Sequence, residues 1–166
     1  MAIERRIVLT LIVLVCMLGI IWANTAFAFQ NEPTGFRGNK WGTDVKDLTF
    51  KVEKATSLEE IKVDFYNILQ TSESFESMII TLDGKLVAVI TSLKDTKKAK
   101  PFATVLLKLY GDPTDLTEET AVWVGETSTI EFSPFEGVVI IGSTIGMQSL
   151  EALLEWYAAN IKKQAI

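Results

Sequence analysis

Residues 78–113 read MIITLDGKLVAVITSLKDTKKAKPFATVLLKLYGDP, and the reading of the whole chain grows from them. Two apolar runs flank Asp83-Gly84, and an amphipathic pattern follows. Asp-Gly between such runs specifies a tight type I′ turn, because that turn needs φ > 0 at both central positions. A hairpin closed there sets Leu82 opposite Lys85, Ile80 opposite Val87 and Met78 opposite Val89, all on one face. That face is apolar almost throughout and is expected on the core. The other carries Ile79, Thr81, Leu86, Ala88 and Ile90. It is mixed, so it is expected to be thinly covered or to contact something else.

A helix follows the hairpin. Phe102, Val105, Leu106, Leu109 and Tyr110 recur at the spacing of one helical stripe. Pro101 fits the first turn, where its missing N–H would have no partner. Gly111 suits the left-handed position after the helix, and Pro113 blocks continuation. A hairpin crossed by a helix is the nucleus of an α+β layer.

Strand signals extend on both sides. Residues 50–55 and 61–69 read as strands, with 56–60 as the turn between them. Residues 71–74 are polar and turn-like. Residues 121–124, 128–133 and 138–141 read as further strands, the last two joined by the turn Pro134-Phe135-Glu136-Gly137. A second helix spans about 147–163, with Leu150, Leu153, Leu154, Tyr157 and Ile161 as its stripe. Trp156 lies beside that stripe and is expected to widen the buried face, since so large a ring is usually covered. The alternative is an exposed contact. The expected fold is α+β: an antiparallel, meander-like sheet of about seven strands packed with two amphipathic helices. Each half holds a Trp–Gly piece, strands and a helix, but the expected strand numbers differ, so no repeat is assigned.

The N-terminus reads as an export segment. Arg5 and Arg6 precede an apolar run at 7–22, and Ala26-Phe27-Ala28 follows. A basic start, an apolar stretch and small residues at Ala26 and Ala28 match a secretory signal cut after Ala28. The alternative is an uncleaved inner-membrane anchor over residues 7–29, long enough to span a bilayer. Cys16 does not suit lipid attachment, since Val15 stands where a small residue is needed. The expected organisation is a signal peptide or anchor at 1–28, a linker at 29–40 and a single α+β domain at 41–166. The expected location is periplasmic or secreted.

Composition narrows the chemistry. The chain of 166 residues carries net charge −5. The first 28 residues contribute Arg5, Arg6 and Glu4, a net +1, so the remainder carries −6. That balance argues against a phosphate-tracking surface and hence against nucleic acid. Lys94, Lys97, Lys98 and Lys100 read as the solvated start of a helix. Histidine is absent and Cys16 is the sole cysteine. Beyond residue 28 there is no disulfide, no thiol nucleophile and no soft metal ligand. Ser-His-Asp and Cys-His arrangements are excluded. Gly142-Ser143-Thr144-Ile145-Gly146 is not G-x-S-x-G, since Ile141 stands two before Ser143 where glycine is needed, and neither a Walker A loop nor G-x-G-x-x-G occurs. The acidic stretch 112–120 lacks calcium-loop order and reads as solvated. Paired carboxylates are the remaining catalytic option, with Asp64, Glu73, Glu76 and Glu131 as candidates.

A resemblance accompanies these residues. Phe36-Arg37-Gly38-Asn39-Lys40-Trp41-Gly42 resembles the F-R-G-x-x-W-G opening of small, uncharacterised exported bacterial proteins. Asp83-Gly84-Lys85-Leu86, Leu109-Tyr110-Gly111-Asp112-Pro113 and Trp123-Val124-Gly125 are similar to three later motifs of those proteins. The resemblance implies an envelope location and carries no activity, cofactor or site residues. The leading expectation is a non-enzymatic envelope protein acting through protein contacts, with Phe135 and Trp156 as candidate partner contacts. The alternatives are a carrier of a small apolar ligand or lipid, with its pocket between sheet and helices, and a carboxylate-based glycan hydrolase. No cofactor and no metal are expected.

Overall fold

Asp83 (φ 51°) and Gly84 (φ 73°) both occupy the left-handed region, so the turn forms at Asp-Gly as its chemistry requires. The computed structural model describes residues 29–69 and 72–164, with side chains described to Asn160. In chain order the strands are β1 (Gly35–Phe36), β2 (Asn39–Lys40), β3 (Val52–Leu58), β4 (Val63–Ile68), β5 (Phe75–Leu82) and β6 (Lys85–Leu93). Helix α1 (Ala99–Tyr110) precedes β7 (Asp115–Leu116), β8 (Ala121–Val124), β9 (Ser128–Ser133) and β10 (Val138–Ser143). Helix α2 (Thr144–Gln164) follows. Strands β1 and β2 form a small hairpin of their own.

The other eight form one antiparallel sheet in the order β3-β4-β5-β6-β10-β9-β8-β7. The architecture is α+β, with one strand more in the main sheet than expected. The extra strand is β7, a two-residue edge that hydrophobic patterning cannot signal at that length. Each half of the sheet is a four-stranded meander, and the two meet antiparallel at β6 and β10. The halves therefore match in strand number, contrary to the sequence reading. They still do not repeat, because their helices pack on opposite faces.

The hairpin register departs from a simple ladder. Leu82 pairs with Lys85 as expected, but Ile80 pairs with Ala88 and Met78 with Ile90. Val87 is the extra residue of a β-bulge. Beyond the bulge the parity of β6 is reversed, so Val89 joins Ile79 on one face and Ile90 joins Ile80 on the other. Both faces are covered. On the first face Val63, Phe65, Ile80, Ala88, Ile90 and Ile140 pack under Met147, Leu150 and Leu154 of α2. On the second, α1 covers Leu93, Trp123, Ile130, Phe132 and Val139. Phe36, Trp41, Val45, Leu48 and Phe50 cover the rest, over Ile68, Ile79, Leu86 and Val89. Of the two expectations for the mixed face, thin cover or contact with something else, the second holds, and the contact is a segment far away in sequence.

Helix α1 is rolled relative to its predicted stripe. Ala99 and Leu106 are buried, and Phe102, Ala103 and Tyr110 pack against the core. Val105 and Leu109 are nearly half exposed. Phe102 sets the roll, with its ring 5.6 Å from Phe75 and 5.7 Å from Phe132. Helix α2 begins three residues earlier than expected. Leu150 and Leu154 are buried, and Leu153 and Tyr157 flank them. Trp156 is 57% exposed, not a core residue. At 100° per residue it lies about 200° round the helix from Leu154, on nearly the opposite side.

Candidate functional site

The stretch read as an entry linker is fastened to the domain. Phe29 meets Tyr110 edge-to-face at 5.7 Å, and Asn31 donates from Nδ2 to the Leu109 carbonyl at 2.7 Å. Glu32 then reaches the β8–β9 turn. Its Oε1 accepts from the backbone N–H of Thr127 (2.5 Å) and of Ser128 (2.6 Å), and from the Thr127 hydroxyl (2.8 Å). Gly125 makes this approach possible. Its φ is not in the left-handed region, so space and not dihedral freedom requires glycine. The three nearest atoms to a Cβ placed there all belong to the Glu32 carboxyl, in collision with it.

The four motifs that look like separate punctuation in the sequence meet along this seam. Trp41 donates from Nε1 to Ser128 Oγ at 2.8 Å, and Ser128 in turn donates to the Pro33 carbonyl. Trp123 donates from Nε1 to the Gly111 carbonyl at 2.9 Å, which ties the Tyr110-Gly111 helix end to β8. Gly42 N–H donates to the Leu86 carbonyl (2.8 Å), and Leu86 N–H to the Thr43 carbonyl (2.9 Å). The Trp-Gly opening is thereby stitched to the Asp-Gly hairpin, with Lys85 paired to Asp44 at 3.4 Å. Burial pushes the Glu32 carboxyl up, but the N–H groups of Ser128 and Thr127, with help from the Thr127 hydroxyl and Glu126 N–H, outweigh it. The net pKa lies below the ordinary 4.5.

The carboxylates considered for catalysis are not gathered together. Asp64 lies on the α1 side of the sheet, on β4, accepting from Ser57 Oγ (2.5 Å) and paired with Lys54 (2.8 Å). Glu73 and Glu76 are exposed, and Glu76 lies 3.9 Å from Lys94. Glu131 points to the opposite face, since its cross-strand neighbours are Val122 and Ile140 beneath α2. It is 3% exposed, and its Oε2 has no hydrogen-bond partner among the described residues. Burial, then the charges of Glu151 and Glu136, push its pKa up to about 7. Glu151, buried on α2, is the partner that sequence reasoning missed. Its place beside Leu150 and Leu154 on the helix signals a core-facing position, but not which strand it meets.

Phe135 stands 73% exposed at the β9–β10 turn, and Trp156 stands out from α2. The two are carried by different elements. The proposed export segment, with Ala26, Ala28 and Cys16, lies outside the described residues. Among the described residues no group of three His, Cys, Asp or Glu side chains is placed to hold a metal ion. Among them, too, no helix is long and apolar enough to cross a membrane. Fold and seam together define an α+β protein built on one eight-stranded antiparallel sheet with a strapped N-terminal segment. No family model, no curated protein and no solved structure matches the chain.

Proposed function

We propose that this chain is a non-enzymatic exported envelope protein that works as an interaction module, with the outward face of α2 as its contact surface. One observation carries the reading. Trp156 (57% exposed) shares that face with Ile145 (73% exposed) and the exposed Ala152. The spacing of i, i+7 and i+11 keeps them aligned along a helix. A helix that buries one apolar face normally turns a polar face to water. An exposed tryptophan in an apolar row is the side-chain type that dominates protein contacts.

The test places a photo-crosslinking amino acid at Ala152 in cells. A discrete adduct is expected from the wild-type background. Trp156→Ala is expected to change stability by no more than about 0.5 kcal/mol, because the ring is mostly in water, yet to lose the adduct. An adduct that survives Trp156→Ala would remove that residue from the surface. A chain that gives no adduct from either Ala152 or Ile145 would defeat the interaction reading. Export is tested separately by the N-terminal residue of the protein recovered from its own envelope. Phe29 is expected for a cleaved periplasmic or secreted form, and Met1 would indicate the anchored alternative.

A further inference from the structure

The β8–β9 turn has the construction of an anion receptor, and several of the hydrogen bonds that hold it do not involve the carboxylate that fills it. Gly125 N–H donates to the Ser128 carbonyl at 2.8 Å, which closes the turn. The first residue of α2 holds it from the other side. Thr144 N–H donates to the Thr127 carbonyl at 3.0 Å, and the Thr144 hydroxyl donates to the Gly125 carbonyl at 2.9 Å. The carbonyls are thus engaged by the scaffold, while the N–H groups of Thr127 and Ser128 and the Thr127 hydroxyl converge on one point. Adjacent backbone N–H groups aimed at one point form a nest for a negative oxygen. Such a nest binds well when it is ordered before the ligand arrives.

The group that occupies it comes from the strap, not from the sheet. Residues 29–34 hold on through Phe29 on Tyr110, Asn31 on the Leu109 carbonyl, and the part-buried Pro33 carbonyl, which accepts from Ser128 Oγ and from Trp41 Nε1, so lifting the strap also frees the Ser128 hydroxyl beside the turn. Glu32 is therefore an internal ligand on a short tether. Glycine at 125 serves that ligand, since the nearest atoms to a Cβ there are those of the carboxyl group.

We propose that the Gly125–Ser128 turn is a carboxylate-binding site, filled at rest by Glu32, that accepts the carboxylate of a peptide segment when the strap is lifted. This inference is independent of the α2 surface, because the strap and α2's outward row are different contacts with different residues.

The test follows the amide resonances of Thr127 and Ser128 in the full chain carrying Glu32→Ala. Sodium acetate is the first probe, with sodium chloride at equal ionic strength as the control. Saturable shifts at both amides are expected with acetate and not with chloride. Adding Gly125→Ala to Glu32→Ala is expected to abolish them, since a methyl group takes the space of the carboxylate. In the wild type the tethered Glu32 competes for the same point, so acetate is expected to bind more weakly than to Glu32→Ala, by the factor of one plus the tether's effective concentration over the dissociation constant that Glu32→Ala shows. N-acetylglutamate α-amide and N-acetylglycine then distinguish a side-chain carboxylate from a chain terminus.

A folded Glu32→Ala protein whose two amides ignore acetate would overturn the proposal. So would equal affinity in wild type and variant, or shifts that persist with Gly125→Ala. Should Glu32→Ala not fold, Glu32→Gln keeps the length of the side chain without its charge. Acetate must then displace the carboxamide and shift the same two amides, and silence there would count equally against the site.

Discussion

Replacing Glu131 by glutamine is expected to stabilise the protein above pH 7 by on the order of 3 kcal/mol and to leave it unchanged in acid. Glu131 is 3% exposed between Val122 and Ile140, beneath α2, with Oε2 unpartnered among the described residues. Burial, then Glu151 and Glu136, lift its pKa from 4.5 to about 7. Between those values the folded state holds the proton and the unfolded state has lost it. More protons bound in the native state make stability fall as pH rises. The decline runs from pH 4.5 to about 7 and then levels, with the deficit fully present above. Glutamine has the shape of the protonated acid and never ionises, so it removes that decline.

Urea unfolding of both proteins across the pH range measures it, and the difference between the two curves isolates Glu131. The subtraction matters because other groups act in the opposite direction. Burial raises Asp64, but Lys54, Ser57 and Tyr66 more than offset it. The backbone N–H of Lys46 leads the groups that lower Asp44. Stability held by such lowered carboxyls is present at neutral pH and lost in acid. Parallel curves for wild type and Glu131→Gln would show that the buried carboxyl does not titrate as its surroundings require.

Trp123→Ala is expected to cost about 4 kcal/mol, the range for truncating a buried tryptophan. Trp123 is 1% exposed among Leu106, Ile130, Phe132 and Val139, with its ring centroid 6.3 Å from Tyr110. Truncation leaves a cavity under α1, and it also strips the Gly111 carbonyl of the indole N–H at 2.9 Å. Trp123→Phe separates the two losses. It keeps much of the apolar volume and forfeits the hydrogen bond, so about 1–2 kcal/mol is expected. The ordering Trp123→Ala, then Trp123→Phe, then Trp156→Ala should appear in the denaturant midpoints. Equal effects of Trp123→Ala and Trp156→Ala would contradict the burial that separates them.

Much of the fold was legible because local rules governed it. Strands β8, at Ala121–Val124, and β9, at Ser128–Ser133, stand where residues 121–124 and 128–133 were read. The helix Ala99–Tyr110 ends at Gly111 as read, although Gly111 takes φ 79° with an extended ψ of −160° and not the left-handed helical cap expected of it. The seam was half legible. Its Trp–Gly and Tyr–Gly pieces stood out as motifs, but their partners lie far along the chain. Ser128 is 87 residues from Trp41 and 96 from Glu32. Pattern within a window carries no information about such pairs.

The sequence by itself determined the type I′ turn at Asp83-Gly84, the existence of both helices, and the absence of histidine and cysteine chemistry beyond residue 28. These follow from dihedral needs, periodicity and composition, which are properties of neighbours or of the whole. Only the tertiary structure decided that Val87 is a bulge, that α1 turns Val105 and Leu109 outward, and that β6 meets β10. It alone set Glu131 beneath α2 beside Glu151, and Glu32 in the turn that Gly125 opens. The reason is common to all of them. Burial and register are settled by which surfaces meet across the sheet, and alternation along a strand cannot say which face another part of the chain will cover.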